Sequence, residues 1–259
     1  ITRCRFGIVI YKEKLLSQIP SPCFVQDEKL LEDNLKHLSQ IKAATGIKIL
    51  LAQKAYSQWQ FYPLIAQYLD GAAASSLNEA RLAKEHMNKE VHTYSPAFKT
   101  SQFEDILEYS DHIVFNSLGQ YERFASYVSD FQGQKSFSLR VNPGFSPVQT
   151  KMYNPALSGT RFGVTHELLS TIPKGISGLH FHALCENNSF EFEQTLSVFE
   201  SNFRHLLHRI KQLNVGGGHF ITHPKYNTEH LIDVIQGFQK RFPHIQVTME
   251  PGSAIALNT

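Results

Sequence analysis

Short apolar, β-branched runs alternate along the chain with segments whose apolar residues recur at helical spacing. This alternation predicts repeated βα units around a parallel sheet. The runs expected as strands are residues 23–26, 48–53, 71–75, 90–94, 112–116, 137–142, 176–182, 213–216 and 246–250. They predict a closed (β/α)8 TIM-like barrel with one extra or shared strand. The clearest helix spans residues 28–44, with Leu30, Leu31, Leu35, Leu38 and Ile41 on one stripe and Asp27 as its N-cap. Residues 61–68, 78–86, 102–109, 120–128, 190–211 and 229–242 carry the same period. Pro143, Gly144, Pro147, Pro155 and Gly159 break any period between residues 143 and 160, which reads as a long loop. Loops of that length inside a compact domain usually serve function. Residues 21–259 therefore read as one barrel domain, and residues 1–20 as an extension without an assigned role.

Composition narrows the class. A length of 259 residues suits one barrel, a fold that typically takes about 250 residues. Lys plus Arg number 25 against 23 for Asp plus Glu, and no block of five or more like charges occurs. That balance argues against nucleic acid and against an anionic membrane surface as partners. No apolar stretch approaches the roughly 18 residues of a membrane span, and the amino-terminal residues lack signal-peptide features. A cytoplasmic protein is expected. Cys4, Cys23 and Cys185 are odd in number and widely spaced, which predicts reduced thiols rather than a disulfide framework or a paired-cysteine zinc site. The chain opens at Ile1 rather than Met and stops at Thr259 soon after a Pro-Gly turn, so it reads as part of something longer.

In a parallel barrel the chemistry sits where strands end at their carboxyl edges. Lys54 follows the apolar ILLA run and Gln53; desolvation there would lower the amine pKa and free it to attack a carbonyl, although a strand-end lysine can also simply reach solvent. Gly216, Gly217 and Gly218 can bring backbone N–H groups round a phosphate, or form a tight structural turn. Glu250, before Pro251 and Gly252, can accept from a protonated ring nitrogen or pair with an arginine. His180 and His182 alternate about Phe181, so both imidazoles face the barrel interior. Their spacing also suits a metal, but no third ligand with carboxylate support is visible, and no metal is expected. Taken together, a nucleophilic lysine, a glycine phosphate cradle, an imidazole face and a strand-end acid are what pyridoxal 5′-phosphate requires of a protein.

Beyond these pieces, the chain resembles the fold-type III pyridoxal-phosphate decarboxylases with an alanine-racemase-like barrel, and among them the carboxynorspermidine/carboxyspermidine decarboxylases. The matching stretches are PSPCFV, KILLAQKAYS, DGAAASSLNEARL, EVHTYSPAF, DHIVFNSLGQYERF, LRVNPGFS, YNPALSGTRFGV, GISGLHFHALCE, NVGGGHFIT and MEPGSAIALNT, in the family's order. The resemblance implies that Lys54 is the Schiff-base lysine, His182 stacks on the cofactor ring, Gly216 to Gly218 hold the phosphate and Glu250 pairs with the pyridine nitrogen. It places Arg140 near the ring and Cys185 near the phosphate. It implies decarboxylation of carboxynorspermidine or carboxyspermidine to norspermidine or spermidine in polyamine biosynthesis, by a homodimer. Glu186 is the candidate partner for a substrate amine, and Arg161 follows a loop expected either to close over substrate or to serve as a dimer contact. Ser253 stands where related ornithine-type enzymes carry a phosphate-binding arginine, and the family's carboxyl-terminal β domain is absent from this chain. The alternatives are a diaminopimelate- or ornithine-type decarboxylase, and a non-catalytic single-barrel pyridoxal-phosphate-binding protein.

Overall fold

Eight parallel strands close into a ring in the computed structural model, which describes residues 17–259 and the antiparallel two-residue strands β1 (Thr2–Arg3) and β2 (Val9–Ile10). The ring comprises β3 (Lys48–Ala52), β4 (Gly71–Ala74), β5 (Glu90–Ser95), β6 (His112–Phe115), β7 (Ser136–Arg140), β8 (Gly178–His180), β9 (Gln212–Asn214) and β10 (Gln246–Met249). They follow chain order, and β10 pairs with both β9 and β3. Residues 23–26 form no strand, contrary to the sequence expectation. A closed ring offers no free edge to pair with another strand, and Phe24 stands fully in solvent. Cys4 lies outside the described residues.

Alternation along each strand divides its side chains between two environments. Ile49, Leu51, Ile113, Phe115, Leu139 and Leu179 point outward into the layer shared with the helices and are buried there. The inward set is polar for such a barrel, whose interior is usually filled by branched apolar residues. Lys48 pairs with Glu90 at 2.5 Å, and Glu90 meets His92 Nε2 at 3.2 Å. The His92 ring stacks on His112 at 4.6 Å, and His112 Nδ1 lies 2.6 Å from Ser136 Oγ. The hydrogen bond with His92, helped by Lys48, holds the Glu90 carboxyl down at about 2 against its partial burial. Burial holds His112 well below the usual histidine range.

The helices follow their sequence signals closely. Helix α1 (Glu28–Thr45) starts at Asp27, whose carboxylate accepts from Leu30 N–H at 3.1 Å, and ends at Gly46 with φ +69°. Leu31, Leu35, Leu38 and Ile41 are fully buried on its inner stripe. The expected 61–68 helix shrinks to a 3-10 turn and α2 (Tyr62–Ile65), while α3 (Leu77–His86) and α4 (Phe103–Tyr109) form as expected. The expected 120–128 helix is two pieces, α5 (Leu118–Arg123) and α6 (Ala125–Asp130), broken at Phe124 (φ −114°, ψ 16°). The break lets the Phe124 ring stack on Phe103 at 3.8 Å, a packing gain that overrides local helix preference. Helix α7 (Ser189–Leu207) opens with a reciprocal Asn188–Glu191 capping box, and α8 (Thr228–Arg241) and the single turn α9 (Ser253–Ala256) complete the chain. Residues 143–160 form a loop with one 3-10 turn, tied down by Ser146 Oγ–H donating to the Ala183 carbonyl (2.6 Å) and Asn202 Nδ2 donating to the Pro143 carbonyl (3.0 Å).

Candidate active site

The carboxyl ends of the strands enclose about 420 Å³, counting space that opens to solvent, and Lys54, Tyr94, Arg140, His180, His182 and Glu250 form its polar wall. Larger concavities lie elsewhere on the surface. The one between α7 and α8 is spanned by ion pairs of Glu200 with Arg204 and Arg241, and no lysine lines it.

Lys54 stands just past β3. Water reaches it at the mouth, yet the surrounding wall desolvates the amine and lowers its pKa; Glu250 opposes that shift and Arg140 adds to it. His182 stands just past β8, and its Nδ1 accepts the Gly217 N–H at 2.9 Å. The proton of the neutral ring therefore sits on Nε2. Burial, then the nearby Lys54 and Arg140 charges, hold His182 well below the usual histidine range. Glu250 Oε1 accepts from Asn214 Nδ2 at 2.6 Å, and Asn214 Oδ1 accepts from Gly216 N–H at 2.8 Å.

The three glycines are required by close backbone approach. A Cβ on Gly217 would lie 2.2 Å from the Glu250 carbonyl oxygen, and one on Gly218 (φ +83°) would lie 2.1 Å from that of Leu184. Two of the N–H groups expected to cradle a phosphate are committed within the protein, Gly216 to Asn214 and Gly217 to His182. Gly218 N–H has no partner among the described residues. Cys185 is exposed beside it, its own N–H held by Asn187 Oδ1 at 2.8 Å.

Arg140 is 5% exposed and lies between the rings of Tyr94 (4.6 Å) and Phe162 (4.8 Å). Its Nη2 donates to the His182 carbonyl at 3.3 Å, and no carboxylate pairs with it among the described residues. His180 Nδ1 is likewise buried without a partner. Phe162 is held in place by Asn116, which donates to the Arg161 carbonyl (2.8 Å) and accepts from Gly163 N–H (3.1 Å) and Tyr94 O–H (2.8 Å). A buried guanidinium without an anion, a free backbone N–H and an acceptor carboxylate fit an anionic cofactor whose ring nitrogen carries a proton.

Some expected residues stand apart. Arg161 and Glu186 are both exposed, neither lines the cavity, and Glu186 adopts a left-handed backbone (φ +53°). Tyr94, His92 and Asn214 belong to the site or its support but were not singled out by sequence. Their signal was parity: His92 and Tyr94 alternate along one strand face with Glu90, and Asn214 stands two positions before Gly216.

Fold and site define a class, a parallel (β/α)8 barrel with a pyridoxal site at the carboxyl ends of its strands. The chain belongs to the pyridoxal-dependent decarboxylase family: the model of that family's pyridoxal binding domain matches residues 31–257. It is 42% identical over 255 residues to carboxyaminopropylagmatine decarboxylase of Synechocystis sp., covering 98% of this chain and 65% of that protein. It is 37% identical over 243 residues to carboxynorspermidine/carboxyspermidine decarboxylase of Campylobacter jejuni, covering 93% of this chain and 62% of that protein. The crystal structure of carboxynorspermidine decarboxylase from Campylobacter jejuni complexed with norspermidine superimposes with a TM-score of 0.84 over 92% of this chain and 61% of that one. Diaminopimelate decarboxylase from Helicobacter pylori shares the fold, with a TM-score of 0.70 at 19% identity. The chain thus spans less than two thirds of the length of these relatives. The sequence resemblance to the family is borne out. Among the described residues, no helix is long and apolar enough to cross a membrane.

Proposed function

We propose that this protein uses pyridoxal 5′-phosphate to decarboxylate a carboxylated polyamine, carboxynorspermidine or carboxyspermidine, releasing norspermidine or spermidine. The observation that carries the reading is the desolvated Lys54 amine sharing one cavity with the Glu250 carboxylate. When bound, the cofactor supplies an aldehyde carbon for amine exchange and a ring that takes up the electrons left by departing carbon dioxide. Lys54, its pKa lowered by desolvation, would present a more readily deprotonated and so more nucleophilic amine to that carbon. Glu250 would accept a hydrogen bond from the ring nitrogen, His182 would pack its neutral imidazole against the ring, and Arg140 with its unspent N–H donors lines the same cavity. Gly218 N–H and Cys185 would hold the phosphate end. Glu186 and Arg161, at the rim, are the candidates for contacts with the extended substrate. Function in a homodimer is part of the proposal, and the free thiols of Cys23 and Cys185 fit a reducing cytoplasm.

A second reading has its own support in the higher identity to the Synechocystis enzyme, whose named substrate carries a guanidinium in place of a terminal amine. The deciding experiment offers carboxynorspermidine, carboxyspermidine, carboxyaminopropylagmatine, diaminopimelate and ornithine in parallel to the cofactor-loaded protein and quantifies each amine product. Turnover of the first two above the third supports the proposal, and the reverse order supports the second reading. Turnover of diaminopimelate or ornithine alone overturns both, and cofactor binding without any product points to a carrier. Lys54→Ala is expected to lose the visible absorbance of the bound cofactor together with turnover.

A further inference from the structure

Asn214 is 5% exposed on the inward face of β9, and its side chain joins two parts of the site. Gly216 N–H can only donate, so it fixes Asn214 Oδ1 on its side and turns Nδ2 toward Glu250. A flipped amide would set N–H against N–H at one end and oxygen against carboxylate at the other. The backbone repeats the tie, since Glu250 N–H donates to the Gly216 carbonyl at 2.8 Å and Asn214 lies opposite Thr248 in the β9–β10 ladder. Glu250 therefore receives a donor on Oε1, while Oε2 has no partner among the described residues.

We propose that Asn214 is a positioning residue that presents Glu250 as an acceptor-only carboxylate to the cofactor's pyridine nitrogen and thereby sets the protonation of that nitrogen. The inference rests on the reading of Glu250 as the nitrogen's partner. The residue type is specific to the task. An aspartate at this position would set two carboxyl groups at the 2.6 Å now spanned by the amide, and such a pair must share a proton. A Glu250 engaged with that shared proton competes less for the proton of the ring. An alanine would leave Oε1 without its donor and free the carboxylate to turn away.

The test loads the protein with pyridoxal 5′-phosphate carrying nitrogen-15 in the ring and follows the ring-nitrogen resonance against pH, with cofactor affinity measured by absorbance titration. The unmodified protein is expected to hold the nitrogen protonated to higher pH than Glu250→Gln. Asn214→Asp and Asn214→Ala are expected to shift that titration to lower pH, toward Glu250→Gln, a change that loss of packing alone would not produce. If Glu250→Gln leaves the nitrogen protonated, the reading of Glu250 fails and this inference falls with it. If Glu250→Gln strips the proton while both Asn214 variants titrate like the unmodified protein, the role of Asn214 alone is overturned. Asn214→Ala, smaller and uncharged, carries the same measurement should Asn214→Asp fail to fold.

Discussion

At Gly217 one added methyl group would meet the Glu250 carbonyl oxygen at 2.2 Å, a backbone atom that cannot step aside without parting the ends of β9 and β10. Gly217→Ala is therefore expected to weaken cofactor binding by about tenfold or more, the equivalent of roughly 1.4 kcal/mol, with the barrel's circular dichroism retained; unchanged affinity would contradict the account. His219, the next residue after the glycine run, presents the opposite case. Both its ring nitrogens are buried without a partner among the described residues, its ring packs edge-on to Phe192 at 4.8 Å, and burial pushes it down to about 3. An imidazole so placed loses hydration at one N–H and one acceptor. His219→Phe is expected to raise stability by about 1 kcal/mol, or roughly 2–4 °C in Tm; a lower Tm would count against it. Lys54, His182 and Glu250 were legible in sequence because each closes an apolar run. Asn214 was not, because it lies within one and acquires its meaning from a partner 36 residues away.

Among the elements, the helices were readable wherever one apolar stripe and one cap signal agreed, as for α1 behind Asp27. They were misread where tertiary packing opposed local period. Phe124 breaks the 120–128 helix to join Phe98, Phe103 and Phe115 in an aromatic cluster, and it is 1% exposed. Phe124→Ala is expected to cost about 3–5 kcal/mol in urea unfolding, and a loss under 1 kcal/mol would show that the cluster does not require the break. Residues 143–160 were recognised as a loop from their prolines and glycines. Its anchoring was beyond local pattern, because the ties run to residues on β8's exit and on α7.

For the whole molecule, the polar barrel interior has a consequence for acid stability. His112, His180 and His219 are buried, His182 is half-buried, and all four are held below the ordinary histidine value, first by desolvation. Unfolded, they bind protons below about pH 6.5; folded, they do not. The unfolded state then carries more protons, so stability falls as pH drops through that value. Glu90, held at about 2 in the fold against 4.5, contributes stability present above its unfolded value and lost as pH falls from there toward its folded one. The urea midpoint is expected to be level near neutrality and to decline steadily on acidification, beginning before the carboxylates titrate; a midpoint unchanged down to pH 5 would contradict this, since about 97% of an unperturbed histidine is protonated there.

Alternating apolar runs and helical stripes determined the class of fold, and the reactive residues ending those runs determined where its chemistry gathers, because both are set by neighbours within a few positions. Only the tertiary structure decided which of the nine runs stays outside the ring, residues 23–26, since that depends on pairing β10 with β3 across the chain. It also decided that Gly216 and Gly217 spend their N–H groups inside the protein, that Arg140 is buried with no carboxylate partner among the described residues, and that Asn214 ties Glu250 to the glycine turn. Hydrogen bonds between side chains on different strands have no period along a sequence; they exist once the barrel has set those strands side by side.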